Sequence, residues 1–222
     1  MVTLMLWDWH YAFSVLPQLL KAFQLTIEIT LMGSGIAMIG GLALALMRRS
    51  ARRWISLPTA ALIEFIRSTP LLVQLYFFYF LGPSIGLSFS PLVTGVFALA
   101  LHYSTYTSET YRAGIDSVPK GQWDAARALN FSAINTWRSI ILPEVIPPII
   151  PSLGNYVILM FKDTPLLSAI TVIEVLAKAQ LIADQTFRYT EPLTIVGLLF
   201  LIVSYLSSVL LRLWEKRVAY AR

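Results

Sequence analysis

From Leu193 to Leu211 the chain runs for nineteen residues without an acidic or basic side chain. A helix of that length rises about 29 Å, close to the thickness of a bilayer's hydrocarbon core. A second run, Ala22 to Met47, holds one acid, Glu28, and no base. Hydrocarbon offers no water to an unpaired backbone group, so such runs resolve as helices. Composition agrees, with 57% hydrophobic and 13% charged residues and a mean hydropathy of +0.69. An ordinary soluble domain is about 25% charged. The fold class is therefore all-α and polytopic. With no cysteine, disulfides, thiolate metal sites and cysteine nucleophiles are excluded. His10 and His102 are far apart in sequence, and no metal cluster is expected.

Met1 to Lys21 mixes Trp7, Trp9, Tyr11 and Phe13 with Asp8 and His10, and lacks the basic start and cleavage site of a signal peptide. It is expected as a short helix at the outer interface. The membrane part then covers residues 22–217 of a single domain, 1–222. In the first span, Gly33, Gly35, Gly40 and Gly41 suit close approach of another helix. Arg48, Arg49, Arg52 and Arg53 follow at once and mark the cytoplasmic side. No aromatic platform accompanies them, which argues against nucleic acid. Glu64 and Arg67 sit three apart and are expected as a surface pair.

Leu71 to Leu81 is too short to cross alone, so the second span is expected to begin before Pro70, near Leu62. The third span, Leu92 to Ala113, has a polar inner half from His102 to Tyr111. Its Ser and Thr read as interhelical glue. Glu109 could be buried in the bundle, line a watery path or reach the inner interface. Pro143, Pro147, Pro148 and Pro151 predict a bent entry to the fourth span, with a helix from about Ser152 to Phe161. Lys162-Asp163-Thr164-Pro165 ends it. Leu166 to Tyr189 reads as a re-entrant or outer-surface helix. About five spans result, with the N-terminus outside and the C-terminus inside. Thirteen of the seventeen Lys and Arg then fall on the inner side, the exceptions being Lys21, Lys162, Lys178 and Arg188.

The longest stretch without membrane composition lies between the third and fourth spans, from Gly121 to Pro143. Trp123 to Leu129 mixes Ala and Leu with Asp124 and Arg127, as a short helix in water would. Pro119 suits its first turn, and Asn130 suits the left-handed position just past its end. A helix of about three turns over residues 119–130, displayed between two spans, reads as a docking surface.

Asp124-Ala125-Ala126, three residues, Asn130, nine residues, Ile140, one residue and Leu142-Pro143 resembles the cytoplasmic signature of ATP-binding-cassette (ABC) importer permeases. That signature is Glu-Ala-Ala, three residues, Gly, nine residues, Ile, one residue, Leu-Pro. Asp124 stands for its Glu and Asn130 for its Gly. Glu64 to Leu75 and Lys162-Asp163-Thr164-Pro165-Leu166 resemble stretches of the polar amino acid subfamily, whose Lys-Asp-Thr-Ser-Leu has Ser where Pro165 stands. The resemblance covers roughly Leu25 to the last span.

It implies the type I ABC importer permease fold, with a cytoplasmic coupling helix gripped by an ATPase through Lys120, Gly121, Gln122, Trp123, Asp124, Ala125, Ala126 and Asn130. Tyr106, Glu109, Lys162, Asp163 and Thr164 are the candidate substrate path. No phosphate-binding loop is present, so this chain is not the motor. ATP and Mg²⁺ belong to partner ATPase subunits, and no cofactor is expected on this chain. The partners implied are two ATPase subunits, an extracytoplasmic solute-binding protein and a second permease subunit, identical or related, with membrane lipid around them. Location is the bacterial inner membrane, and the solute is a polar amino acid or a similar small zwitterion, ectoine included. The rival reading is a membrane-embedded transferase using His102 and Glu109, seven apart on one helix face, as an acid–base pair.

Overall fold

A computed structural model describes residues 7–86 and 88–220, with side chains to residue 216. Residues 1–6 of the expected outer segment, Leu87 in the turn after the second span, and the Arg217 side chain lie outside the described residues.

The described residues form nine α-helices and no strand: α1 (Trp9–Arg48), α2 (Arg53–Arg67), α3 (Leu71–Tyr76), α4 (Pro91–Asp116), α5 (Lys120–Ala128), α6 (Ala133–Thr136), α7 (Leu142–Asp163), α8 (Val175–Thr186) and α9 (Thr190–Tyr220). A π-turn, Phe77–Leu81, and a 3-10 turn, Gly82–Ile85, extend α3. A second π-turn, Trp137–Ile141, leads into α7, and a 3-10 segment, Thr164–Ile170, leaves it.

Among the described residues, three stretches are long and apolar enough to cross a bilayer: α1, residues 133–170, and α9 as far as Lys216. The pair 53–67 and 71–85 makes a fourth if it is one broken span. At 26 residues α4 is long enough, rising about 39 Å. Its polar second half keeps it from standing out by composition, and the expected count of about five depends on including it.

Three boundaries differ from expectation. The outer segment is not a separate helix, because α1 is continuous from Trp9 through Pro17 to Arg48. The second span does not run through from Leu62. Instead α2 stops at Arg67, since Pro70 lacks an N–H and disfavours helical backbone at Thr69. α7 begins at Leu142 rather than near Ser152, with Pro147, Pro148 and Pro151 inside it. Those prolines leave three carbonyls without their helical donors, which a membrane helix tolerates when local adjustments re-satisfy them.

The chain divides into two compact units. The first comprises residues up to Gly33, 70–99 and 158–207. Its core joins Val15 and Leu19 of α1 to Val175, Ala179 and Ile182 of α8 and Val196 of α9. Phe161 lies against Phe200, ring centroids 4.7 Å apart, and Phe23 stands edge-on to both. At Gly33 an added Cβ would sit 2.8 Å from the Met160 sulfur, so a larger residue there would push that thioether aside.

The second unit comprises residues 34–69, 100–157 and 208–220. Here a Cβ on Gly40 would meet Ser104 Oγ at 2.6 Å, and one on Gly41 would overlap Thr107. The Thr107 hydroxyl donates to the Ala37 carbonyl at 2.9 Å. Ser104, Thr105 and Ser108 donate to carbonyls of their own helix. The polar half of α4 is thus largely satisfied by backbone, and the expected glue is seen at Thr107. Gly35 faces open space and supports no such contact. A small core of Ile115, Val118, Ile141, Val145 and Ile149 ties the end of α4 to the start of α7.

Candidate functional site

The coupling candidate is the nine-residue α5. Pro119 precedes its first residue as the N-cap, one place earlier than expected. Asn130 takes φ 55°, in the left-handed region, as its position predicted. The N–H of Asn130 then donates to Arg127 and that of Phe131 to Ala126, both at 3.0 Å. This paired closure satisfies two otherwise orphaned carbonyls at the helix end.

One face of α5 is held and the other is open. Trp123 is half-buried, packs on the Ile115–Ile149 core and stands edge-on to Trp137 at 5.6 Å. Ala126 is 1% exposed. Lys120, Gly121, Gln122, Asp124, Ala125 and Ala128 are exposed. Ala126, expected with Ala125 on the gripped surface, is instead covered by the fold itself. Asp124 pairs with Arg127 at 3.4 Å, but both side chains are at least 70% exposed, and such a pair is worth little. The Asp124 carboxylate remains available to a partner.

The path candidates divide between the units. Tyr106 and Glu109 belong to the second, and Lys162, Asp163 and Thr164 to the first. Glu109 is bound by two guanidiniums, Arg48 at the end of α1 and Arg112 one turn along α4. Arg112 also reaches Asp116 at 2.9 Å, and Arg49 pairs with Asp116. Two of the four arginines expected only as a charge signal, Arg48 and Arg49, thus form a lattice with the inner end of α4. Lys162 is exposed and Asp163 half-buried at the last turn of α7. Thr164 is fully buried, its hydroxyl donating to the Phe161 carbonyl at 2.8 Å.

His102 packs against the rings of Tyr103 and Tyr106, at 5.5 and 5.2 Å. Glu109 is held by arginines, so the two do not form the acid–base pair of the transferase reading. The expected Glu64–Arg67 pair is also replaced, since the Arg67 guanidinium lies over the Tyr106 ring, 5.2 Å from its centroid.

Sequence reasoning missed two polar anchors in the first unit. Glu174 is fully buried and caps α8, accepting from the N–H groups of Leu176 and Ala177 at 2.9 and 2.8 Å. Burial pushes its carboxyl above the usual range, against the pull of those two N–H groups. Glu is not a favoured cap residue, so nothing local signals this role. At the start of α1, Asp8 accepts from the N–H groups of His10 and Tyr11 and from Arg188. Arg188 also pairs with Glu191 and stacks on Tyr11 at 4.1 Å.

The sequence profile of the family described as binding-protein-dependent transport system inner membrane component matches residues 36–220. The chain belongs to that family. It is 43% identical over 203 residues to a probable amino-acid ABC transporter permease protein, y4tG, of Sinorhizobium fredii, covering 91% of this chain and 88% of that relative. It is 35% identical to the nopaline transport system permease protein NocM of Agrobacterium fabrum, covering 90% of this chain and 87% of that one. Among solved structures, an amino acid ABC transporter crystallised with histidines superposes with a TM-score of 0.88 at 35% identity, covering 96% of this chain and all of that one. The MetNI methionine ABC transporter, at 17% identity and a TM-score of 0.76 over 92% of this chain and 98% of its own, shares the fold. The permease is thus an integral inner-membrane component of a binding-protein-dependent importer. ATP hydrolysis and solute capture fall to other subunits of such a system. The transferase reading is excluded by this membership.

Proposed function

We propose that the chain forms the translocation path for a small polar amino acid, as one of two permease subunits, and couples it to ATPase subunits through α5. The whole-length likeness to permeases described as serving amino acids, nopaline and glutamine supports the solute class. The single observation that carries the coupling role is the two-sided build of α5. Trp123 and Ala126 root it in the permease, while Asp124 and Ala125 are left open at its other face.

ATP and Mg²⁺ bind on the ATPase partners in this reading. Their closure pushes α5, and the Trp123–Trp137 contact carries the push into α7. Lys162, Asp163 and Thr164 at the far end of α7, with Tyr106 and Glu109 on α4, are the path candidates. Between Lys162 and Asp163 the path offers both charges that a zwitterion requires. Arg48 to Arg53 lie on the cytoplasmic side, which leaves the N-terminus outside and the C-terminus inside.

Two experiments test this. The complex reconstituted in liposomes with its binding protein takes up radiolabelled L-histidine or L-glutamine, and unlabelled amino acids compete. Competition by ectoine alone refutes the amino acid assignment. Ser50→Cys reacts only with reagents that reach the cytoplasm and Ser84→Cys only with those outside. Reversed labelling refutes the orientation.

A further inference from the structure

We infer that Arg67 is the carboxylate-binding residue of the path, held ready on the face of Tyr106. The inference rests on the amino acid reading above and names the group that would recognise the solute's acid end.

Four observations converge. First, no carboxylate pairs with Arg67 among the described residues, although Glu64 lies one turn away on the same helix. Its contact is with the Tyr106 ring at 5.2 Å, and a cation over a ring face leaves its N–H donors free to point elsewhere. Second, Arg67 is exposed and stands at the last residue of α2, where Pro70 ends the helix. Third, the exposed apolar face of α2, which carries Trp54, Leu57 and Phe65, is the face suited to lipid. Arg67 follows Phe65 by two residues, about 200° round the helix, and so points away from that face.

Fourth, Tyr106 belongs to a cluster of polar aromatics rather than to a greasy wall. Its ring lies 6.1 Å from Tyr103 and 5.8 Å from Tyr156, and Tyr156 is itself half-buried. A guanidinium presents a planar fork that matches a carboxylate with two parallel hydrogen bonds. The tyrosine faces beside it attract a cation. Arg67, braced on Tyr106, and the neighbouring faces of Tyr103 and Tyr156 therefore offer the α-carboxylate and the α-ammonium of one amino acid adjacent partners of the right kind. Arg67 sits in the stretch Glu64–Leu75 and was expected only as a surface ion pair. The cation over the ring, and not the sequence pattern, singles it out.

The test uses the full complex, solubilised and free of binding protein, with radiolabelled L-histidine and L-glutamine as probes. Binding is competed by the unlabelled amino acid and, separately, by its methyl ester, which keeps the ammonium but has lost the carboxylate charge. Wild type prefers the free acid to the ester by about tenfold or more, the usual worth of a charged hydrogen bond. In Arg67→Gln the free acid loses about that factor while the ester is unchanged, so the preference collapses. Arg67→Lys keeps part of it. Tyr106→Phe retains the ring and stays near wild type, whereas Tyr106→Leu weakens acid and ester together. A purely structural role for Arg67 lowers acid and ester affinity in parallel, and that result overturns the inference, as does an unchanged preference in Arg67→Gln. If wild type binds neither probe, the amino acid reading fails and the inference fails with it. If wild type binds a probe and Arg67→Gln still discriminates, the inference alone fails.

Discussion

Trp123 of α5 stands edge-on to Trp137 of the π-turn, ring centroids 5.6 Å apart and planes 82° apart. This contact seats an otherwise exposed helix on the base of α7. Edge-to-face aromatic pairs contribute about 0.5–1.5 kcal/mol beyond the area they bury. Trp123→Ala is expected to leave ATPase subunits bound, because the exposed face of α5 is untouched, yet to weaken the response of ATP hydrolysis to the loaded binding protein. Trp123→Phe keeps the response. Full stimulation of the Ala variant counts against α5 as a lever.

The two alanines separate docking from folding. Ala125→Leu adds bulk on the exposed face, where substitutions usually change stability by within about 0.5 kcal/mol. It is expected to release ATPase subunits during co-purification while the permease melts normally. Ala126→Leu overpacks a covered site and is expected to lower permease stability itself by about 1–3 kcal/mol. Equal melting temperatures for the two variants would contradict the burial difference.

Asn130 tests the closure of α5. Asn130→Gly is expected to match or slightly exceed wild-type stability, because glycine adopts positive φ without strain. Asn130→Val is expected to be destabilising by about 1–2 kcal/mol, the strain of a side chain in the left-handed region. Thermal unfolding in detergent reads both.

The Glu109 lattice is expected to act as a unit. Its side chains are 21–35% exposed at Arg48, Glu109 and Arg112, so solvent screens the pairs in part. Arg48→Ala and Glu109→Ala are each expected to cost about 1 kcal/mol, and the double variant less than their sum. Strict additivity in that cycle shows that the two residues do not interact. Uptake lost by Glu109→Ala with stability unchanged instead assigns Glu109 to the path.

Asp8 supplies a pH dependence outside the spans. The Tyr11 N–H and the Arg188 guanidinium hold its carboxyl below the usual range. A lowered carboxyl lends stability that is fully present above the ordinary value, about 3.9, and is lost as pH falls through the folded value. The first turn of α1 is therefore expected to loosen below about pH 4, seen as faster amide exchange at Tyr11 after correction for intrinsic rates. Asp8→Asn removes that acid step. A persistent step in Asp8→Asn places its origin elsewhere.

The chain's length of apolar run and its turn chemistry were enough to show an all-α membrane protein with a short polar helix between spans. They also placed Asn130 at the close of that helix. Those features are local, since hydrophobic run length and backbone preference act through residues close in sequence. Which face of each helix is covered was decided only in three dimensions. Ala125 and Ala126 are indistinguishable by type, yet one is exposed and the other covered by the fold. Glu64 is one turn from Arg67 in sequence, but Tyr106, 39 positions away, is what Arg67 meets. Glu174, fully buried, caps α8 against cap preference, its carboxylate accepting from two backbone N–H groups. Pro17 and the prolines of α7 signal breaks by local rule and sit inside helices in fact, because packing over a whole span outweighs a missing hydrogen bond.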